Sequence, residues 1–260
     1  MGWYRNWQRK RLLARQRIDE PLWRQVVERM DFLRGMAAAD LARLRDLSLL
    51  FLNEKQMHGA GGLELSDEIR LSIALQACLP IMNLGLDIYQ GWVGIIVYPG
   101  EFRVKKQEMD EDGVVHEIED ELSGEAWPDG PVILSWEDVR QTGAGYNVVI
   151  HEFAHKIHMT HAEDEDYPAP FSGMDRKEWR ETLEHDYRRF CARVDSGRET
   201  LIDPYASEHP AEFFAVMSET FFTDAAVLQR DWPALYQQLA LFYRQDPQAQ
   251  VSEITPPETP

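Results

Sequence analysis

The sequence predicts an α+β fold, mostly helical, with a small mixed or antiparallel sheet packed beside one helix that carries the chemistry. Three observations predict it. Residues 21–90 repeat leucine and isoleucine at helical spacing, residues 92–136 change to short β-branched and aromatic runs between turn residues, and an apolar segment after Asn147 carries His151-Glu152-Phe153-Ala154-His155.

Pro21, after Asp19 and Glu20, starts a helix to about Phe32, and Asp40 starts a second to about Lys55 with Leu41, Leu44, Leu47 and Phe51 on one face. Gly59, Gly61 and Gly62 mark a turn; without a following Lys-Ser/Thr they do not form a phosphate loop. Ser66 caps a core helix that Pro80 ends. Residues 92–98, 102–105, 114–118 and 131–136 read as strands, the last an exposed strand able to hold a peptide as an added strand. Nine acids between Glu108 and Glu125 lack the ligand order of a calcium loop and read as an exposed hairpin. Asp175 caps an amphipathic helix to about Val194, Pro210 opens an apolar helix through Phe222, and a last helix runs from Pro233 to Tyr243.

These elements make one domain over residues 21–247, helical to about residue 90 and then sheet plus site helices, with a basic arm (1–20) and a disordered tail (248–260). The arm holds six Lys or Arg and no acid in residues 1–17; contact with anionic lipid or an acidic partner is one reading of it, and the preferred one is a solvated helix that packs Trp3 and Trp7 on the body, with no membrane partner. There is no apolar signal core and no membrane span. A net charge of −18 disfavours direct nucleic-acid binding and suits a peptide or protein partner. Cys78 and Cys191 show no paired spacing, as reduced residues in a cytoplasmic protein would.

On a helix, His151 and His155 lie about 40° apart around the axis, so both imidazoles reach one metal ion from one face. Glu152 then sits beside that ion without being a ligand, positioned to take a proton from water. Val148, Val149, Ile150, Phe153, Ala154 and Ile157 bury this helix, with Asn147 as its N-cap. Catalytic zinc takes three protein ligands and leaves one position open, so a third donor is required. Glu212 is preferred, because a lone carboxylate on an apolar helix needs a cation to neutralise it. His161 stands at metzincin spacing but lacks the glycine that turns the chain back; Glu208 and Glu219 remain open as ligands or outer partners, and His158 lies one turn too far along.

Together with residues 122–127, 130–136, 171–179, 203–214 and 242–247, this segment resembles the Mlc titration factor A family of bacterial zinc peptidases, over about residues 20 to 247. The family is similar in its active-site domain to the anthrax lethal factor protease. The resemblance implies a zincin-like fold, one zinc per chain held by His151, His155 and Glu212, and a catalytic pair of Glu152 and Tyr205. It also implies aminopeptidase action, and binding and inactivation of the glucose repressor Mlc with derepression of a sugar phosphotransferase gene. A regulatory binding module with secondary peptidase activity is the competing expectation. A purely structural zinc is disfavoured, since it would leave Glu152 without a role.

Overall fold

The computed structural model describes residues 2–109, 115–127, 130–143, 145–161 and 166–252. Helices α1 (Gly2–Arg15), α2 (Glu20–Glu28) and α3 (Ala38–Glu54) lead into strand β1 (Gln56–Gly59) and helix α4 (Asp67–Cys78). Strands β2 (Gly94–Tyr98), β3 (Phe102–Met109), β4 (Val115–Leu122), β5 (Gly124–Ala126) and β6 (Val132–Ser135) follow. Then come α5 (Trp136–Arg140), α6 (Val148–His161), α7 (Arg176–Asp195), α8 (Pro210–Thr223), α9 (Ala225–Asp231), α10 (Pro233–Tyr243) and α11 (Pro247–Ser252).

The result is α+β, as the sequence predicts, with a mixed four-stranded sheet in the order β1-β2-β6-β5. β1, β2 and β6 run parallel and β5 pairs antiparallel with β6 at the edge. Strand β1 escapes the sequence because only Met57 of its four residues is buried; its backbone becomes a strand by pairing with β2. The expectation that 131–136 is an exposed strand is corrected: β6 lies between β2 and β5, so neither of its edges is free. The edges belong to β1 and β5, of which β5 lies beside Glu152. β3 and β4 form a separate antiparallel hairpin; its turn, residues 110–114, and its acidic side chains lie outside the described residues.

Helix α6 crosses the body between the sheet and α8. Val149, Ile150, Phe153, Ala154 and Ile157 are fully buried in it, and Phe213, Phe214, Met217 and Phe221 are equally buried in α8. The Phe153 ring lies 5.1 to 5.7 Å from Tyr89, Trp92 and Phe51, edge-on or tilted, an arrangement that adds electrostatic preference to burial. Full burial of one such side chain contributes about 1.5–3 kcal/mol, so the helix is held by its apolar faces and its polar side is free to carry function.

Two further expectations change. α1 is a helix, but its tryptophans do not pack on the body: Trp3 is 81% exposed and Trp7 45%. Leu12 and Leu13 turn inward instead, and Arg9 fixes that rotation through Glu54 at 2.6 Å and Asp87 at 2.8 Å. At the other end, helix α11 spans 247–252, within the stretch expected as a tail. Gln245 is buried and donates to the carbonyls of Leu79 and Pro80, and the Tyr236 hydroxyl bonds Asp246 at 2.5 Å. Residues 253–260 lie outside the described residues. No described helix is long and apolar enough to cross a membrane.

Candidate metal centre

The start of α6 is set by Asn147. Its side-chain oxygen accepts from the Ile150 amide at 2.9 Å, the cap the sequence predicts, which contributes about 1 kcal/mol. The same side chain donates to Gln76 Oε1 of α4 at 2.8 Å, and its backbone amide donates to Glu219 Oε2 of α8 at 2.7 Å. One residue thus locks the site helix to two others.

From that start, His151 and His155 project on one face with ring centroids 4.8 Å apart. Their Nε2 atoms approach to 3.1 Å, and Glu212 Oε2, from the first turn of α8, lies 3.1 Å from one and 3.2 Å from the other. Tetrahedral zinc with bonds of 2.0–2.1 Å separates its ligands by about 3.3 Å, so the nearly equilateral triangle has the right size, and two imidazoles with one carboxylate are a zinc donor set. Among the described residues this is the group able to hold an ion.

Glu219, two turns beyond Glu212 on the same side of α8, holds His151 Nδ1 at 2.6 Å. That contact places a proton on Nδ1 and leaves the Nε2 lone pair facing the triangle, as a metal requires. Burial alone would lower the His151 pKa, but Glu219 and Glu212 outweigh it and hold it well above its ordinary value. Glu212 is the mirror case: burial would raise it, while bonds from His151 and His155 hold it well below the usual carboxylate range. Protons and a metal ion therefore compete for the same donor atoms, which makes metal affinity pH-dependent.

Glu152 is buried beside the triangle, and that burial raises its pKa against the opposing pull of His151 and His155. Its carboxylate lies directly over Gly124 of β5. A Cβ built on Gly124 would fall 2.4 Å from Glu152 Oε1, so any larger residue displaces the carboxylate. Nothing in the sequence gives Gly124 a role; only the approach of β5 to α6 reveals one.

A cleft of about 540 Å³ opens onto His151 and Glu152, walled by Gly124, Tyr146, Leu201 and Tyr205. Tyr205 stands on a 3₁₀ turn, Pro204–Ser207, whose start is capped by Asp203 accepting from the Tyr205 amide at 2.9 Å. The Tyr187 hydroxyl donates to Ser207 O at 3.1 Å and anchors the turn. The Tyr205 ring is 6.3 Å from that of His151 and 43% exposed, which makes it a cleft residue and not a core tyrosine. Of the remaining candidates, His158 and Glu208 stay outside the triangle. His158 is buried with its ring edge-on to Phe214, Glu208 is exposed, and the side chain of His161 lies outside the described residues.

The profile of the glucose-regulated metallo-peptidase M90 family matches residues 4–244. The chain belongs to that family. Among similar curated proteins are Mlc titration factor A of Salmonella arizonae, 37% identical over 82% of this chain and 86% of the relative. The same-named protein of Salmonella paratyphi B is 36% identical over 82% of each chain. An uncharacterized Synechocystis protein is 34% identical over 93% of this chain and 90% of its own. The M90 match runs from α1 through α10 and so takes in the triangle, Glu152, Gly124 and Tyr205.

Proposed function

We propose that this M90 protein is a zinc-dependent peptidase in which His151, His155 and Glu212 hold the metal, Glu152 is the base and Tyr205 supports the oxyanion. The observation that carries the reading is the meeting of the three donors beside a buried carboxylate, with His151 and that carboxylate lining an open cleft. Zinc, when bound, supplies Lewis acidity that polarises a carbonyl and acidifies water. Glu152 accepts a proton from the attacking water and returns it to the departing amine nitrogen as the C–N bond breaks. The Tyr205 hydroxyl donates to the oxygen on which charge develops, and its exposure in the cleft wall lets it reach a bound substrate. The edge of β5 offers backbone groups for an extended peptide beside Glu152, the role first expected of 131–136.

Metal analysis and a peptide assay on the same variants test this reading. Wild type, His161→Ala and Glu152→Gln should each retain one zinc per chain, whereas His155→Ala and Glu212→Ala should lose it. Glu152→Gln should lower kcat about 10²–10⁴-fold with metal in place. Metal lost from His161→Ala and kept by Glu212→Ala would reassign the third ligand. Aminopeptidase action is the finer form of the proposal; it requires cleavage of a free-amine peptide and none of its N-acetylated twin. A cytoplasmic setting accords with the two free thiols, Cys78 and Cys191.

The name of the Salmonella relatives supports a second reading, capture of an Mlc-like transcriptional repressor with peptidase activity secondary. Metal-stripped protein separates the two. If it still binds the repressor, capture is independent of catalysis; if binding needs zinc, the cleft takes part.

A further inference from the structure

The outer face of α1 is unlike that of a solvated helix. At about 100° per residue, Trp3, Tyr4, Trp7, Lys10, Arg11 and Arg15 share a sector of about 140°, and all six are exposed. Arg5, Arg9, Leu12 and Leu13 occupy the opposite side and are partly buried against the body. Two tryptophans and a tyrosine therefore face water while leucines and two arginines face protein, the reverse of ordinary amphipathic packing. The face is held in shape. Tyr4 and Trp7 stack with centroids 6.1 Å apart, and the Arg11 guanidinium lies 5.3 Å over the Trp7 ring. Arg9, bidentate on Glu54 at 2.6 and 2.9 Å, fixes the helix to α3.

We propose that this face is a docking surface for an anionic phospholipid bilayer, on which α1 lies flat. Indole and phenol rings prefer the headgroup level, and Arg and Lys beside them reach lipid phosphates while their stems stay in the interface. The helix carries no acid on a chain of net charge −18, so its attraction to an anionic surface is local and works within one Debye length, about 8 Å at physiological salt. A single-stranded nucleic acid fits less well. It needs a groove and open ring faces for its bases, whereas α1 offers one convex face with Tyr4 and Trp7 stacked on each other. Binding here leaves the metal centre untouched and places a peptidase at a membrane surface, where segments emerging from the bilayer are its accessible peptides.

Full-length protein should be spun down with vesicles of phosphatidylcholine alone and of phosphatidylcholine mixed with phosphatidylglycerol, at low and at physiological salt. The expected result is pelleting with the mixed vesicles only, weakened by salt. Replacing Lys10, Arg11 and Arg15 with Gln should lower partitioning about fivefold per cation, and Trp3→Ser with Trp7→Ser should also release the protein. Both variants should keep the wild-type unfolding temperature and peptidase rate, since none of these residues touches the body's core or the site. Failure to pellet with mixed vesicles, equal pelleting with neutral ones, or wild-type binding by the triple variant overturns the proposal. So does retention by a single-stranded oligonucleotide or by poly-glutamate in place of the vesicles.

Discussion

The metal centre and the amino-terminal helix are both built from aromatic and charged side chains, yet the two regions use them oppositely. Around α6 the packing aromatics Phe153, Phe213 and Phe214 are buried and the charges of the triangle are answered within the cluster: Glu219 holds both His151 and the Asn147 amide, and Glu212 holds both imidazoles. On α1 the aromatics stand in water, Arg5 and Arg9 are held by ion pairs to Asp87 and Glu54, and Lys10, Arg11 and Arg15 are exposed. The difference teaches where precision is needed. A site that must place three atoms within a few tenths of an ångström needs a dry, braced surrounding, because each misplaced buried charge costs several kcal/mol. A docking face needs only composition and exposure.

The sharpest way to break the comparison is Gly124→Ala. Its methyl would stand where the Glu152 carboxylate is, so peptidase rate should fall by orders of magnitude while zinc remains, and overpacking should cost about 1–3 kcal/mol of stability. Full activity in that variant would show that Glu152 is free to move without loss. Next is Glu219→Gln, which keeps a hydrogen-bonding group but removes the charge behind His151. Zinc affinity, measured by chelator competition, should fall about 10–100-fold.

Lys55 joins the two regions, since it follows Glu54, the partner of Arg9, and its ammonium lies 3.6 Å over the ring of Trp92, which packs on Phe153. Burial lowers its pKa to about 8, against the pull of Glu54. Between about pH 8 and pH 10 the unfolded chain therefore keeps a proton there that the folded chain has lost, with the free lysine titrating near 10.4. Stability contributed at this position should rise across that window. Denaturant unfolding of Lys55→Met against wild type should show the rise flattened. The smallest effect belongs to the surface: Arg9→Ala removes the pairs with Glu54 and Asp87 and should cost no more than about 1 kcal/mol, leaving activity unchanged.

Legibility in the sequence follows the same division. The clamp on α6 and its Asn147 cap are local patterns, three or four residues long, and were readable at once. Glu212 was readable by a physical argument, an isolated acid among Phe213, Phe214 and Phe221, though not by spacing. Strand β1 was not, since a four-residue segment with one buried side chain carries no period. Nor was the burial of β6 between β2 and β5, because a short apolar run reads the same at an edge and inside a sheet. The outward turn of Trp3 and Trp7 depended on which side of α1 met the body.

By itself, then, the sequence determined the longer helices, the imidazole pair, the acid beside it and the family, because each is written in neighbours along the chain. The tertiary structure alone decided that Glu219 stands behind His151, that Gly124 makes room for Glu152 and that β5 is the edge strand beside Glu152. Those facts are distances between segments tens of residues apart, set by how apolar faces pack, and no local pattern encodes them.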